Sequence, residues 1–237
     1  MDLQHQAMGY DRTATMFSPE GHLLQVEYAE KAVRLGPSSI GIVCSDGVFI
    51  FADKRIIDSL VSIESTSRIY EIDEHIISSV AGIVSDARVL IERAQLISQQ
   101  HRISYNSPVE PEVVIKELAN LKQQFSQYGG TRPFGVSLMI AGINRKKPEL
   151  FTSDVTGNYL SYNANAIGEN DEIIKEKLRE AYKKDLTIKK GVKICIDILK
   201  GIHGDKFSIK KFELAYIKSD EGKLKRIEAE KITEFVR

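Results

Sequence analysis

The residues of this chain that could ligate a metal, transfer protons or attack a carbonyl are few and badly spaced for it. His5, His22, His75, His101 and His203 lie scattered, without metal-ligand spacing. Cys44 and Cys195 each sit inside an apolar run (Ile42-Val43-Cys44 and Ile194-Cys195-Ile196). That setting suits a small buried hydrophobe rather than a zinc knuckle or a redox pair. The carboxylate pairs Asp171/Glu172 and Asp220/Glu221 fall in polar segments and read as solvated charge. A phosphate-binding loop is absent, no G-x-G-x-x-G follows a strand, and there is no G-x-S-x-G elbow. No cofactor, no metal and no catalytic set is therefore expected. One stretch stands out: Tyr10 to Val33 places a tyrosine, an aspartate, a proline and a second tyrosine around a polar tail and an amphipathic helix. Polar aromatic residues can hold a chain segment by one apolar face and one hydroxyl.

The elements that must position these residues follow from composition and periodicity. With 237 residues, 42% hydrophobic and 28% charged, the chain can bury a substantial core, and a single domain over residues 1–237 is expected. Lys+Arg and Asp+Glu are both 33, so the broad positive field of a nucleic-acid binder is missing, and near-zero net charge eases association. Met1 to Met16 is polar, and nowhere does an apolar run reach the roughly 18 residues that would cross a bilayer. A cytoplasmic protein without a membrane partner is expected.

Before Phe17 the sequence lacks periodicity, which predicts a mobile tail over residues 1–12. Ser18-Pro19-Glu20-Gly21 predicts a turn, and Leu23 to Arg34 a helix within residues 22–35, stopped by Gly36 and Pro37. Ser38 to Cys44 and Val48 to Ala52 make a hairpin across Ser45-Asp46-Gly47, and Ile69 to Ile72 with His75 to Ala81 make a second. Two helices follow, the first with Ala87, Leu90, Ile91, Ala94 and Ile97 on one stripe, the second carrying Val114, Leu118, Leu121 and Phe125. Val136 to Ile143 reads as a strand buried on both faces. Short strands at Leu150 to Thr152 and Tyr159 to Tyr162 precede helices over Glu172 to Tyr182 and Ile188 to Lys200, a strand over Ile209 to Ile217, and a closing helical stretch to Arg237. The order predicts an α+β chain with mostly antiparallel sheets flanked by helices.

The run Tyr10-Asp11-Arg12, then Phe17-Ser18-Pro19-Glu20-Gly21-His22-Leu23-Leu24-Gln25-Val26-Glu27-Tyr28-Ala29, resembles the N-terminal signature of proteasome alpha subunits. Further matches are Gly47-Val48 to Asp53-Lys54-Arg55, Gly82 to Leu90, Tyr128 to Leu138 and Ala166-Ile167-Gly168-Glu169, so the resemblance spans nearly the whole chain. It implies a four-layer αββα sandwich of two antiparallel sheets, the N-terminal-nucleophile hydrolase fold. It also implies a seven-membered ring of alpha subunits stacked on proteolytic beta subunits, with unfolded protein passing through.

In that family the catalytic beta subunits use an N-terminal threonine whose own amine is the base. The matching position here is Pro37, inside a continuous chain, so the resemblance implies a non-catalytic subunit in which Asp53 is structural. It further implies a gate formed by the tail with Tyr10, Asp11, Pro19 and Tyr28. A pocket for the C-terminal tails of activators, such as a hexameric unfolding ATPase, is implied at Arg68, Gly82 and Ile83, with Glu27 orienting the cation. Arg68 stands where the family carries lysine. Competing readings are a catalytic subunit of the same fold, discriminated by the missing N-terminal threonine, and a monomeric small-molecule-binding α+β protein, separated by oligomeric state.

Overall fold

The computed structural model describes residues 9–55 and 60–236, apart from the side chains of Asp11, Ile63 and Glu64; the expected tail over residues 1–12 therefore lies largely outside the described residues. Helix α1 (Leu24–Arg34) leads into the hairpin β1 (Ser39–Cys44) and β2 (Gly47–Asp53). The second hairpin, β3 (Ile69–Asp73) and β4 (Ile76–Gly82), is followed by α2 (Val84–Tyr105) and α3 (Pro111–Gln127). Strands β5 (Val136–Asn144), β6 (Lys147–Ser153), β7 (Tyr159–Ser161) and β8 (Ala164–Ile167) come next. Helices α4 (Asp171–Ala181) and α5 (Ile188–His203), strands β9 (Phe212–Lys218) and β10 (Leu224–Ile227), and α6 (Ala229–Phe235) complete the chain.

All strand pairs are antiparallel, in two five-stranded sheets of order β10-β9-β2-β1-β8 and β3-β4-β5-β6-β7. Because side chains alternate along a strand, an apolar strand buried on both faces feeds two cores at once. Strand β2 does this: Phe49 and Phe51 face α4, α5 and α6 together with Ile40, Ile42 and Leu214. Val48, Ile50 and Ala52 face the other sheet, where they meet Ile77, Met139, Ala141 and Leu150. The outer face of the second sheet packs Val80, Leu138 and Ile140 against Leu90 and Ala94 of α2 and Val114 and Leu118 of α3. The result is the expected four-layer sandwich. Between the sheets Gly41 leaves no room for a side chain, since a Cβ there would run into the Met139 and Leu150 side chains.

Three assignments from the sequence differ from the structure. Ile209–Lys211 is a 3-10 turn, and the strand begins only at Phe212, where the ring stacks on Phe51 and Phe207. The closing stretch is a strand before it is a helix: Leu224–Ile227 pairs with Leu214–Ile217, so ladder bonding overrides the helix preference of Leu-Lys-Arg. Strand β8 has no counterpart in the sequence reading, because Ala-Asn-Ala-Ile carries no alternation; it is fixed by pairing with β1 and by Asn165 Nδ2 donating to Thr152 Oγ1 at 3.0 Å.

The inward face of α3 runs Val114, Ile115, Leu118 and Ala119, and the next turn places Lys122 in the same stripe, fully buried. Its Nζ donates to the Ser153 carbonyl and hydroxyl, both at 3.3 Å. Two long bonds to neutral acceptors contribute about 1 kcal/mol each, less than the cost of burying an ammonium. Burial accordingly pushes the Lys122 amine down from its ordinary 10.5 to about 7, partly offset by the Asp154 carboxylate. The unfolded chain binds this proton up to pH 10.5 and the folded chain only to about pH 7, so stability rises with pH between the two. The penalty, on the order of 3–5 kcal/mol, is complete below pH 7. The variant Lys122→Met is expected to raise the urea midpoint at pH 6.5, worth about 1–3 kcal/mol, with the gain shrinking towards pH 10. A gain independent of pH between 6.5 and 9.5 would show that the amine's charge is not what costs stability.

Candidate functional site

The residues singled out in the sequence collect around α1. Ahead of the helix, Tyr10–Arg12 forms a 3-10 turn closed by Arg12 N–H donating to the Gly9 carbonyl at 3.1 Å. The turn packs against α1. Tyr10 and Tyr28 are half-buried and each is engaged by a neighbour; Lys31 Nζ lies 5.4 Å from the Tyr28 ring centroid. The Asp11 backbone belongs to the same turn, while its side chain lies outside the described residues.

The Ser18–His22 turn is built on one buried serine. Ser18 N–H donates to the His22 carbonyl at 2.9 Å, and Ser18 Oγ accepts from His22 N–H at 3.1 Å. Pro19 sits exposed at its apex, where its fixed φ limits the path of the arm. The same turn aims the His22 ring at the helix, placing Nδ1 2.6 Å from Glu27 Oε1.

At its other end α1 is locked to the sheets. Leu35, just beyond the last helical residue, offers its carbonyl to Arg55 Nη1 at 2.6 Å, a cation at the negative end of the helix. Arg55 holds a left-handed backbone (φ 44°) because Asp53 Oδ1 accepts its N–H at 2.8 Å. Asp53 therefore acts on the backbone of its own turn. The Arg55 guanidinium also pairs with Glu169, whose N–H donates to the Gly36 carbonyl at 2.9 Å. Pro37, buried, carries the chain unbroken from this junction into β1, and Ser39 Oγ is held 2.7 Å from Ser79 Oγ.

Arg68 and Gly82 lie at the same end of the β3–β4 hairpin, since Ile69 pairs with Ser79. Gly82 (φ 119°) packs so tightly on the Gly135 carbonyl that a Cβ would collide with it. Ile83 N–H donates to that carbonyl at 2.9 Å, leaving the Ile83 side chain 37% exposed. Asp86, one turn into α2, accepts Arg132 Nη1 and Nη2 at 2.6 and 2.7 Å and Gly135 N–H at 3.0 Å. Arg68 is half-buried; its Nε is buried with no partner among the described residues. Glu27 is on the neighbouring helix, engaged by His22.

Sequence reading missed the residues that brace these groups. Glu213, the single charge in Phe212–Ile217, accepts from Ser67 Oγ and Ile69 N–H at 3.0 Å and from Arg68 N–H. A lone carboxylate inside an apolar strand was its available signal. Arg55, Glu169, Asp86 and Arg132 had no signal beyond their places in matching motifs, because their partners are 46 to 114 residues away. A cavity of about 250 Å³ also opens beside α1, lined by Arg34, Ser137, Asp154 and Lys175 among others. Its Lys175 is neutralised by Asp171 at 2.6 Å, so it presents no concentrated charge of one sign.

The Arg132 hydrogen bonds, with that from Gly135 N–H, hold the Asp86 carboxyl below its ordinary 3.8 in spite of burial. A carboxylate depressed by folding stabilises above its unfolded pKa, and that contribution is lost as pH falls below about 4 through the folded value. The variant Asp86→Asn should cost roughly 1–2 kcal/mol at pH 7 and flatten the acid limb of the melting-temperature profile below pH 4. An unchanged acid limb would mean the ion pair does not brace the α2 start.

Comparison with known proteins gives two family-model matches: the N-terminal signature of A-type proteasome subunits over residues 10–32, and the general proteasome-subunit family over residues 33–217. The chain is 41% identical to the proteasome alpha subunit of Methanococcus maripaludis strain C5, covering 98% of this chain and 89% of that relative. It is 40% identical to the proteasome alpha subunits of Methanocaldococcus jannaschii (96% and 87%) and Methanosarcina thermophila (97% and 93%). The signature covers the arm and α1, and the longer match covers both sheets as far as β9. This chain belongs to the proteasome alpha-subunit family and is an alpha-type component of the proteasome core particle.

Proposed function

We propose that the chain is a non-catalytic member of the seven-membered outer ring of the core particle. In this reading it stacks on beta subunits, admits unfolded protein to their chamber, and docks the C-terminal tails of an activator such as a hexameric unfolding ATPase. The observation that carries the reading is the unbroken passage from α1 through Pro37 into β1. An N-terminal nucleophile needs a free amine and a hydroxyl at one residue; Pro37 supplies neither, and the junction bonds around Gly36 keep the helix attached.

Ring formation by head-to-tail contacts needs two different complementary patches on each copy. Leu35 at 75% exposure beyond α1, and Val84 at 51% opening α2, are apolar surface suited to that role. A neutral net charge leaves no long-range repulsion to oppose it.

The gate is assigned to residues 1–12 together with Tyr10, Asp11, Pro19 and Tyr28. Its physical basis is a polar arm hinged at a proline turn and meeting a helix through aromatic rings, an arrangement that can hold two ordered positions. The activator pocket is assigned to Arg68, Gly82 and Ile83, with Glu27, whose carboxylate here meets His22, as the group that would orient the cation. A guanidinium can take a tail carboxylate in two parallel hydrogen bonds, which an ammonium cannot.

Three measurements test this reading. The native mass of the chain expressed alone is expected near seven copies or twice seven, without peptidase turnover; a catalytically active beta-free preparation overturns the non-catalytic assignment. Deleting Met1 to Arg12 should speed entry of small peptides or unfolded protein into the assembled particle, and unchanged entry refutes tail gating. The variant Arg68→Ala should weaken activator stimulation about tenfold or more, as expected for loss of a charge-assisted pair, with ring assembly intact.

A further inference from the structure

Glu213 stands near the start of β9, opposite Ala52 in one sheet, yet among the described residues its carboxylate bonds to Ser67, Arg68 and Ile69, at the entry to β3 of the other sheet. Oε1 accepts the N–H groups of Arg68 and Ile69, the latter at 3.0 Å, and Oε2 accepts Ser67 Oγ at 3.0 Å. Only 9% of the residue is exposed. A buried carboxylate is expensive unless hydrogen-bonded, and here the compensation comes from three consecutive residues centred on Arg68.

The 68–69 peptide, whose N–H meets Glu213, is held at its carbonyl end as well. Its carbonyl accepts Ser79 Oγ at 2.9 Å, and Ser79 Oγ is itself 2.7 Å from Ser39 Oγ. Next along, the Ile69 carbonyl accepts Arg226 Nη1 at 3.0 Å. The backbone of Arg68 is thus fixed from both sides, whereas its guanidinium makes no ion pair among the described residues and its buried Nε has no partner there. A site is preorganised when the atoms bearing the recognising group are immobilised before the ligand arrives.

We propose that Glu213 is the positioning residue for carboxylate recognition at Arg68, with Ser79 as its counterpart on the carbonyl of the 68–69 peptide. By binding the N–H groups of residues 68 and 69 it sets the Cα–Cβ direction of Arg68, and with it the position from which the guanidinium meets an incoming chain terminus. Glu213 acts through Arg68 and does not touch the terminus. This inference rests on reading Arg68 as the activator-tail site.

The test uses the assembled particle and two fluorescein-labelled hexapeptides of sequence Gly-Ser-Gly-Leu-Phe-Ala, one ending in a free carboxylate and one in an amide. The wild type is expected to prefer the carboxylate about tenfold, the discrimination expected of a charge-assisted pair. Arg68→Ala should remove the preference. Glu213→Gln places an amide NH2 or its weaker oxygen against three donors; it should cut the preference below about threefold while leaving affinity for the amide peptide unchanged. The double variant should bind like Arg68→Ala alone, because one residue acts through the other.

Should Arg68→Ala keep the preference, the pocket reading falls and this inference with it. Should Arg68→Ala lose it while Glu213→Gln keeps it, or should Glu213→Gln weaken both peptides equally, the positioning role is overturned and the pocket reading stands. If Glu213→Gln does not assemble, Ser79→Ala decides the matter by the same readout: a reduced preference supports the clamp, and a full one refutes it.

Discussion

The arrangement depends on one junction, the five residues from Leu35 to Ser39 where the chain leaves α1 and enters the first sheet. A helix laid on a sheet edge by apolar contacts alone could slide, since dispersion is non-directional. Here the direction is set by polar bonds: Arg55 on the Leu35 carbonyl, Glu169 N–H on the Gly36 carbonyl, and the Arg55–Glu169 pair between them. Gly36 fits against the Gly82 backbone with no room for a side chain, which ties the first sheet's entry to the second sheet's exit. The end of α1 and the β3–β4 end are therefore packed backbone against backbone.

The buried charges sort into two kinds. Asp86 and Glu213 are surrounded by donors placed there by distant segments, and each fixes a piece of backbone: Asp86 the Gly135 N–H beside Gly82, Glu213 the peptides flanking Arg68. A charge held by several donors in a dry setting specifies geometry even where its net contribution to stability is small. Lys122 is different. It meets only the two Ser153 oxygens at long distance, and its burial is what makes the amine hard to charge. Asp86 and Glu213 lie beside the residues of the proposed pocket, whereas Asp73, held by Ser98, Arg102 and the Glu74 N–H, is of the first kind at the turn end of the β3–β4 hairpin. The second occurs under α3, on the far side of the second sheet.

The layers were legible in the sequence because period-two and period-3.6 patterns report directly which faces are buried: Val48 to Ala52, Ile76 to Ala81 and Val136 to Ile143 each supply two cores. What local pattern could not report was pairing. Ala-Asn-Ala-Ile at β8 and Leu-Lys-Arg-Ile at β10 become strands only because β1 and β9 offer free edges. The residues of the proposed gate stood out as a motif around Tyr10 to Tyr28, and Arg68 was singled out only through the family resemblance. Its bracing was not, since Glu213 meets Arg68 across 145 residues and a long-range hydrogen bond leaves no periodicity behind.

The contrast in how the two ends of α1 are held bears on what the arm can do. From Gly9 to His22 the backbone–backbone bonds among the described residues are local turn bonds, each spanning three or four residues, and Phe17 stands 63% exposed. At the other end the Leu35 and Gly36 carbonyls accept from residues 20 and 133 positions away. Local opening costs least where few buried contacts and only short-range bonds must be broken. The same helix thus joins a segment that is inexpensive to rearrange to a junction that is not. Under the proposed reading, in which activator tails bind at the β3–β4 end and the arm takes two positions, the free energy such binding can deliver to the arm is limited to the difference in tail affinity between those positions.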